Sequence, residues 1–80
     1  MKLLVRNLAR TTTELEIREL FAAHGIVTEC TLVLDKETGT SKGFGFVEMP
    51  DPKEAKMAKA RLNDARIAKN RIRVKFAQES

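Results

Sequence analysis

Residues 42 to 49 read Lys-Gly-Phe-Gly-Phe-Val-Glu-Met, and their types and spacing offer one chemistry: flat rings for stacking, with a cation beside them. On an extended strand, side chains alternate between two faces. Lys42, Phe44, Phe46 and Glu48 then share one face, and Gly43, Gly45, Val47 and Met49 the other. The glycines have no side chain to bury, which suits a face pressed closely against something such as packed helices. The rings are therefore expected outside. Exposed rings two residues apart beside a Lys form a platform on which nucleic-acid bases stack while the cation meets a phosphate.

Other chemistries find no constellation. His24 is the only histidine and Cys30 the only cysteine, so neither has a metal-ligand cluster or a nucleophile–base pair around it, and both read as structural. Gly43-Phe44-Gly45 is too short for a dinucleotide fingerprint, and glycines inside a strand argue against a phosphate loop. The chain is expected to be neither an enzyme nor a cofactor binder.

The platform needs a sheet, and the flanking sequence supplies its parts. Lys2 to Leu8 reads as a first strand with Leu3 and Val5 inward and Lys2, Leu4 and Arg6 outward. Thr13 followed by Glu16 is a capping-box pattern that opens a helix over Glu14 to His24. Its Ile17, Leu20 and Phe21 form the buried stripe, and Gly25 suits a left-handed position after its end. Val27 to Leu34 reads as a second strand with Cys30 and Leu32 inward and Thr31 and Val33 outward. Leu34 should follow Leu32 inward unless the strand ends or bulges there. Asp35 to Ser41 is a hairpin loop with Gly39 as its turn residue, which makes the second and third strands antiparallel neighbours.

Asp51, Pro52 and Glu54 open a second helix with a cap, an N1 proline and an N3 acid. Ala55, Ala58 and Leu62 form its packing stripe, while Lys53, Lys56 and Arg61 lie off it on a solvated face. Ile67 to Asn70 is a short extended piece or a turn. Arg71 to Ala77 is a last strand with Ile72, Val74 and Phe76 inward and Arg73, Lys75 and Ala77 outward. The order βαββαβ predicts an α+β, ferredoxin-like domain: a four-stranded antiparallel sheet with two helices on one face.

The octamer Lys42 to Met49 resembles the signature of the RNA recognition motif family, departing only at Met49, where the family has Phe or Tyr. Leu3 to Leu8, Leu-Leu-Val-Arg-Asn-Leu, resembles the family's second signature in the first strand, with Leu4 in the usual aromatic position. The resemblance covers nearly the whole chain. It implies that Phe44 and the residue at Leu4 take successive bases, that Phe46 lies against the sugars between them, and that Lys42 meets phosphate. It also implies an organising role for Asn7 in the following loop, and a less relaxed helix exit where Asp64 follows Asn63 in place of Gly. Lys59 stands where the family usually has an aliphatic residue, so its stem would thin the core or snorkel. Gln78, just past the last strand, matches the place where family members often hydrogen-bond a base.

The expected RNA-binding set is thus Lys2, Leu4, Arg6, Thr31, Val33, Lys42, Phe44, Phe46, Arg73, Lys75 and Gln78. With Leu4 in place of a ring, weak binding on the order of micromolar, roughly 8 kcal/mol, is expected. The partner expected is single-stranded RNA, with single-stranded DNA as a second polyanion because stacking does not need the 2′-hydroxyl. The rival reading is a protein-binding module using the same apolar face, since fold does not fix function.

Composition agrees with these expectations. Eighty residues read as one domain spanning 1–80, in which folding buries about 60% of the unfolded surface. The net charge is +4, with ten Lys/Arg against five Asp/Glu in residues 41–80 and five against six in residues 1–40. Such a positive half attracts polyanions in a salt-dependent way. A single Cys, no run approaching the ~20 apolar residues of a membrane span, and an N-terminus interrupted early by charge lead to the expectation of a cytoplasmic monomer.

Overall fold

Local signals start both helices. In the computed structural model, which describes residues 1–77, Thr13 is the N-cap of α1 (Glu14–Ala22). Its hydroxyl accepts from the Glu16 N–H at 3.2 Å, and the Glu16 carboxylate accepts from the Thr13 N–H at 3.1 Å. Asp51 caps α2 (Pro52–Leu62), its carboxylate accepting from the Lys53 and Glu54 N–H groups at 2.8 and 3.4 Å. Each cap satisfies donors that the first helical turn leaves unpaired, worth about 0.5 to 2 kcal/mol.

Four strands form the main sheet: β1 (Lys2–Arg6), β2 (Glu29–Leu34), β3 (Ser41–Glu48) and, at the far edge, β6 (Arg73–Phe76). Their order is β2-β3-β1-β6, and every neighbouring pair is antiparallel. Both helices cover one face, giving the ferredoxin-like βαββαβ fold. A separate ribbon, β4 (Arg66–Ile67) with β5 (Asn70–Arg71), precedes the last strand. Between sheet and helices, Leu3, Val5, Ile17, Phe21, Val47, Met49 and Ile72 are fully buried. Each large side chain so buried contributes roughly 1.5 to 3 kcal/mol. The inward alternation of β1 and β3 and the stripes of both helices match the sequence expectation, including Met49 in the core.

Several boundaries differ, each for a physical reason. Helix α1 stops at Ala22, with Ala23 as its cap, rather than running to His24, whose N–H instead closes a turn on the Phe21 carbonyl at 3.0 Å. Gly25 is not in the left-handed helical region; its φ is 157°. What it provides is space, because a Cβ there would fall 2.6 Å from the Glu54 side chain, whose carboxylate accepts from the Ile26 N–H at 3.1 Å. Strand β2 begins at Glu29 rather than Val27, and Leu34 is exposed because the β2–β3 register shifts between Leu32 and Leu34.

The last strand begins at Arg73, since Asn70 and Arg71 pair with Arg66 and Ile67 instead. The two residues between these short strands, Ala68 and Lys69, both have positive φ (50° and 72°), the geometry of a tight hairpin turn. Asp64, where the resemblance implied a less relaxed turn, has φ 69°. Asn63 fixes that exit by accepting from the Val74 N–H at 3.0 Å.

Candidate nucleic-acid interface

The open face is built from cross-strand rows. Thr31 pairs with Phe46, Phe46 with Leu4, and Leu4 with Lys75, so one row crosses all four strands. On one side lies the row Glu29, Glu48 and Lys2; on the other, Arg6 faces Arg73. Leu4, Phe44 and Phe46 are half-buried, while Lys2, Arg6, Thr31, Lys42, Arg73 and Lys75 are exposed. A low apolar strip is therefore fringed by cations.

The two rings meet edge to face, centroids 6.4 Å apart at 83°, a favoured aromatic geometry that fixes both. The Lys2 ammonium sits 5.5 Å from the Phe46 centroid, within cation–π range. Phe46 shares a hollow of about 240 Å³ with Lys2, Glu29, Thr31 and Glu48. Phe44 lines a different hollow of about 260 Å³ whose charged walls are Arg6, Arg10 and Lys42. Two carboxylates, a hydroxyl and one ammonium thus surround Phe46, whereas the charged groups around Phe44 are all cations.

Both octamer glycines are required, for reasons other than helix packing. A Cβ on Gly45 would lie 2.5 Å from the Thr31 carbonyl oxygen and 3.2 Å from the Leu32 Cα, so the neighbouring strand's backbone forbids it. Gly43 has φ +85°, and a Cβ there would approach the Leu8 carbonyl oxygen to 3.1 Å. Its positive φ lies where the β2–β3 ladder is interrupted between Gly45 and Ser41. The Leu8 N–H donates to the Gly43 carbonyl at 2.8 Å, tying the loop after β1 to β3.

That tie brings Arg10, in the loop between β1 and α1, to the wall beside Phe44. Residue type was the only signal for it. Asn7, at φ 60°, organises the loop as the resemblance implied: its side-chain amide donates to the Arg71 carbonyl at 2.7 Å, and the Asn70 amide donates to the Asn7 carbonyl at 3.2 Å.

Thr31 stands beside Phe46 as expected. Val33 is half-buried within the irregular stretch of the β2–β3 ladder and has no direct register partner. Arg73 pairs loosely with Asp64, Nε to Oδ1 3.7 Å, with both side chains mostly exposed. The expected contact at Gln78 lies outside the described residues.

Away from the face, Lys59 snorkels rather than thinning the core, placing its ammonium 5.3 Å from the Phe76 centroid. Cys30 is buried, and its thiol donates to the Glu14 carbonyl at 3.6 Å. Burial pushes that thiol up from its ordinary value, the Glu14 carboxylate adds to the effect and Arg18 opposes it. Among the described residues no group of His, Cys, Asp and Glu is arranged to hold a metal ion, and no helix is long and apolar enough to cross a membrane.

A family profile described as RNA recognition motif matches residues 3–73. Nucleolin from Gallus gallus is 42% identical over 76 residues, which are 95% of this chain but 10% of that protein, so the chain spans about a tenth of the relative's length. The crystal structure of an RNA-binding protein, PG1, superposes with a TM-score of 0.95 at 38% identity, covering 100% of this chain and 96% of that one. A Sex-lethal protein–RNA complex superposes at 0.93 with 29% identity, covering 99% and 47%; a Drosophila melanogaster structure of Sex-lethal RNA recognition domains 1 and 2 gives 0.91 at 29%, covering 98% and 50%.

Proposed function

The chain belongs to the RNA recognition motif family, and from that premise we propose that its open sheet face binds single-stranded RNA by stacking and phosphate contacts. The observation that carries this reading is the pairing of two half-buried rings, 6.4 Å apart, with cations on both sides of the strip. Rings held by their neighbours need little ordering when a base arrives, so stacking is not offset by a large entropic cost.

The geometry favours exchanging two roles that the resemblance implied. Phe46, not Phe44, stands directly opposite Leu4, and Phe46 is the ring whose hollow holds the Glu29 and Glu48 carboxylates, the Thr31 hydroxyl and the Lys2 ammonium, groups suited to a base edge. Phe44, among Arg6, Arg10 and Lys42, is placed for ribose and phosphate. On this reading, neighbouring bases rest on Phe46 and Leu4 while the backbone passes over Phe44. Leu4 offers only an aliphatic contact, so binding is short in footprint and on the order of micromolar, roughly 8 kcal/mol. Single-stranded DNA shares the stacking and phosphate terms and binds too.

Phe46→Ala and Phe44→Ala test this directly. Each is expected to weaken single-stranded RNA binding, Phe46→Ala by about 1 to 3 kcal/mol, the value of a base stacked on an aromatic. Folded variants with unaltered RNA affinity would remove the basis of the reading and favour a protein partner on the same apolar strip.

A further inference from the structure

The row beside Phe46 contains an unfavourable pair. Glu29 and Glu48 are directly opposite each other in antiparallel register, a placement that destabilises a sheet when the charges are alike. Both side chains face the outer side and line the Phe46 hollow with Thr31 and Lys2. Lys2 is the cross-strand partner of Glu48, yet its ammonium lies over the Phe46 ring, and among the described residues no Lys or Arg forms an ion pair with either carboxylate. One Glu48 oxygen is 3.7 Å from the N-terminal ammonium, and the other has no hydrogen-bond partner among the described residues.

Resting on the RNA reading above, we propose that Glu48 and Glu29 make the Phe46 position selective for guanine. A base stacked on Phe46 displaces the Lys2 ammonium from over the ring and turns its edge toward the two carboxylates of the hollow, and a carboxylate only accepts hydrogen bonds. Guanine alone among the four bases carries two adjacent N–H donors, at N1 and N2, on its Watson–Crick edge. Adenine and cytosine place an acceptor ring nitrogen beside their amino group, and uracil sets one N–H between two carbonyls, so each brings a lone pair toward a carboxylate. Charge-assisted, two-point bonds are the strong kind. Donors arriving here also relieve the repulsion between the two carboxylates, an energy released only in the complex. Thr31, able to donate or accept, does not discriminate.

The experiment is a fluorescence-anisotropy comparison of pentanucleotides: uridine throughout, or with one central guanosine, inosine, adenosine or cytidine. The wild-type domain is expected to prefer the guanosine oligomer to all-uridine roughly tenfold, within the range of one good bidentate pair. Inosine, lacking the N2 amino group, should fall between. Glu48→Gln should abolish most of that preference while still binding the all-uridine oligomer, and Glu29→Gln should reduce it. Both side chains are on the outer face, so the substitutions leave the core intact.

Equal affinity for all five oligomers, with binding still dependent on Phe46, would overturn the guanine assignment and leave the RNA reading standing. A guanosine preference that survived in the Glu29→Gln/Glu48→Gln double variant would also overturn it. Failure of the wild-type domain to bind any oligomer would remove both.

Discussion

Leu4→Phe asks whether the missing ring limits binding. Leu4 is half-buried on the open face, directly opposite Phe46 on β3 and Lys75 on β6, so a larger side chain there extends over the face rather than into the core. A ring beside Phe46 adds a cross-strand aromatic pair worth about 0.2 to 1 kcal/mol to the fold. Toward RNA, a stacked base gains about 1 to 3 kcal/mol from an aromatic, part of which Leu4 already supplies through its methyl groups. The net gain expected is about 1 to 2 kcal/mol, or roughly 5- to 30-fold in Kd. Anisotropy titration with a labelled short single-stranded RNA measures it, and repeating the titration across salt supplies an internal control. Because no cation is added, the salt slope should not change while the affinity rises. A variant that melts at or above the wild-type temperature and binds RNA no better would refute stacking at position 4.

Other perturbations address the remaining parts. Lys42→Ala and Arg10→Ala should each flatten the dependence of log K on log salt by about 0.7, the value of one phosphate contact to a single strand; an unchanged slope for Arg10→Ala would remove it from the backbone path. Gly45→Ala should destabilise the fold by about 1 to 3 kcal/mol, read as a lowered urea midpoint, because the new Cβ meets the Thr31 carbonyl at 2.5 Å and backbone cannot move aside cheaply. For Cys30, the folded thiol titrates above its ordinary value of 9.0. Its contribution to stability is therefore intact below that value and lost as pH rises through the raised folded value. Cys30→Ala should show a shallower alkaline loss of stability than the wild type in chemical denaturation, and parallel pH curves would contradict the assignment.

The parts of this molecule that depend on local pattern were legible in its sequence. Alternation placed Phe44 and Phe46 outward and Val47 and Met49 inward, and capping residues placed both helix starts, because each signal acts within a few residues of its cause. What depends on distant backbone was not legible. Gly45 is required by the carbonyl of Thr31 on another strand, and Gly43 by a positive φ beside Leu8, although helix packing was the expected reason for both. The opposition of Phe46 and Leu4 is a property of register between segments some forty residues apart, so alternation alone could not decide which ring neighbours position 4. Arg10 stands beside Phe44 in a loop that the Leu8 N–H ties to Gly43, a contact between distant segments. A turn or short extended piece over Ile67 to Asn70 was legible, but its closure into the paired β4 and β5 was not, because Ala68 and Lys69 carry none of the Gly or Asn chemistry that usually marks positive φ.

RNA is expected to lie across the sheet, over Phe46 and Leu4. An amide NMR titration of the folded domain with a random pool of short single-stranded RNA at moderate salt tests it most directly. Shifts should concentrate at Leu4, Arg6, Lys42 to Phe46 and Arg73 to Lys75, with the amides of α1 and α2 nearly still. Shifts confined to the lysines of α2, or none at all, would contradict it.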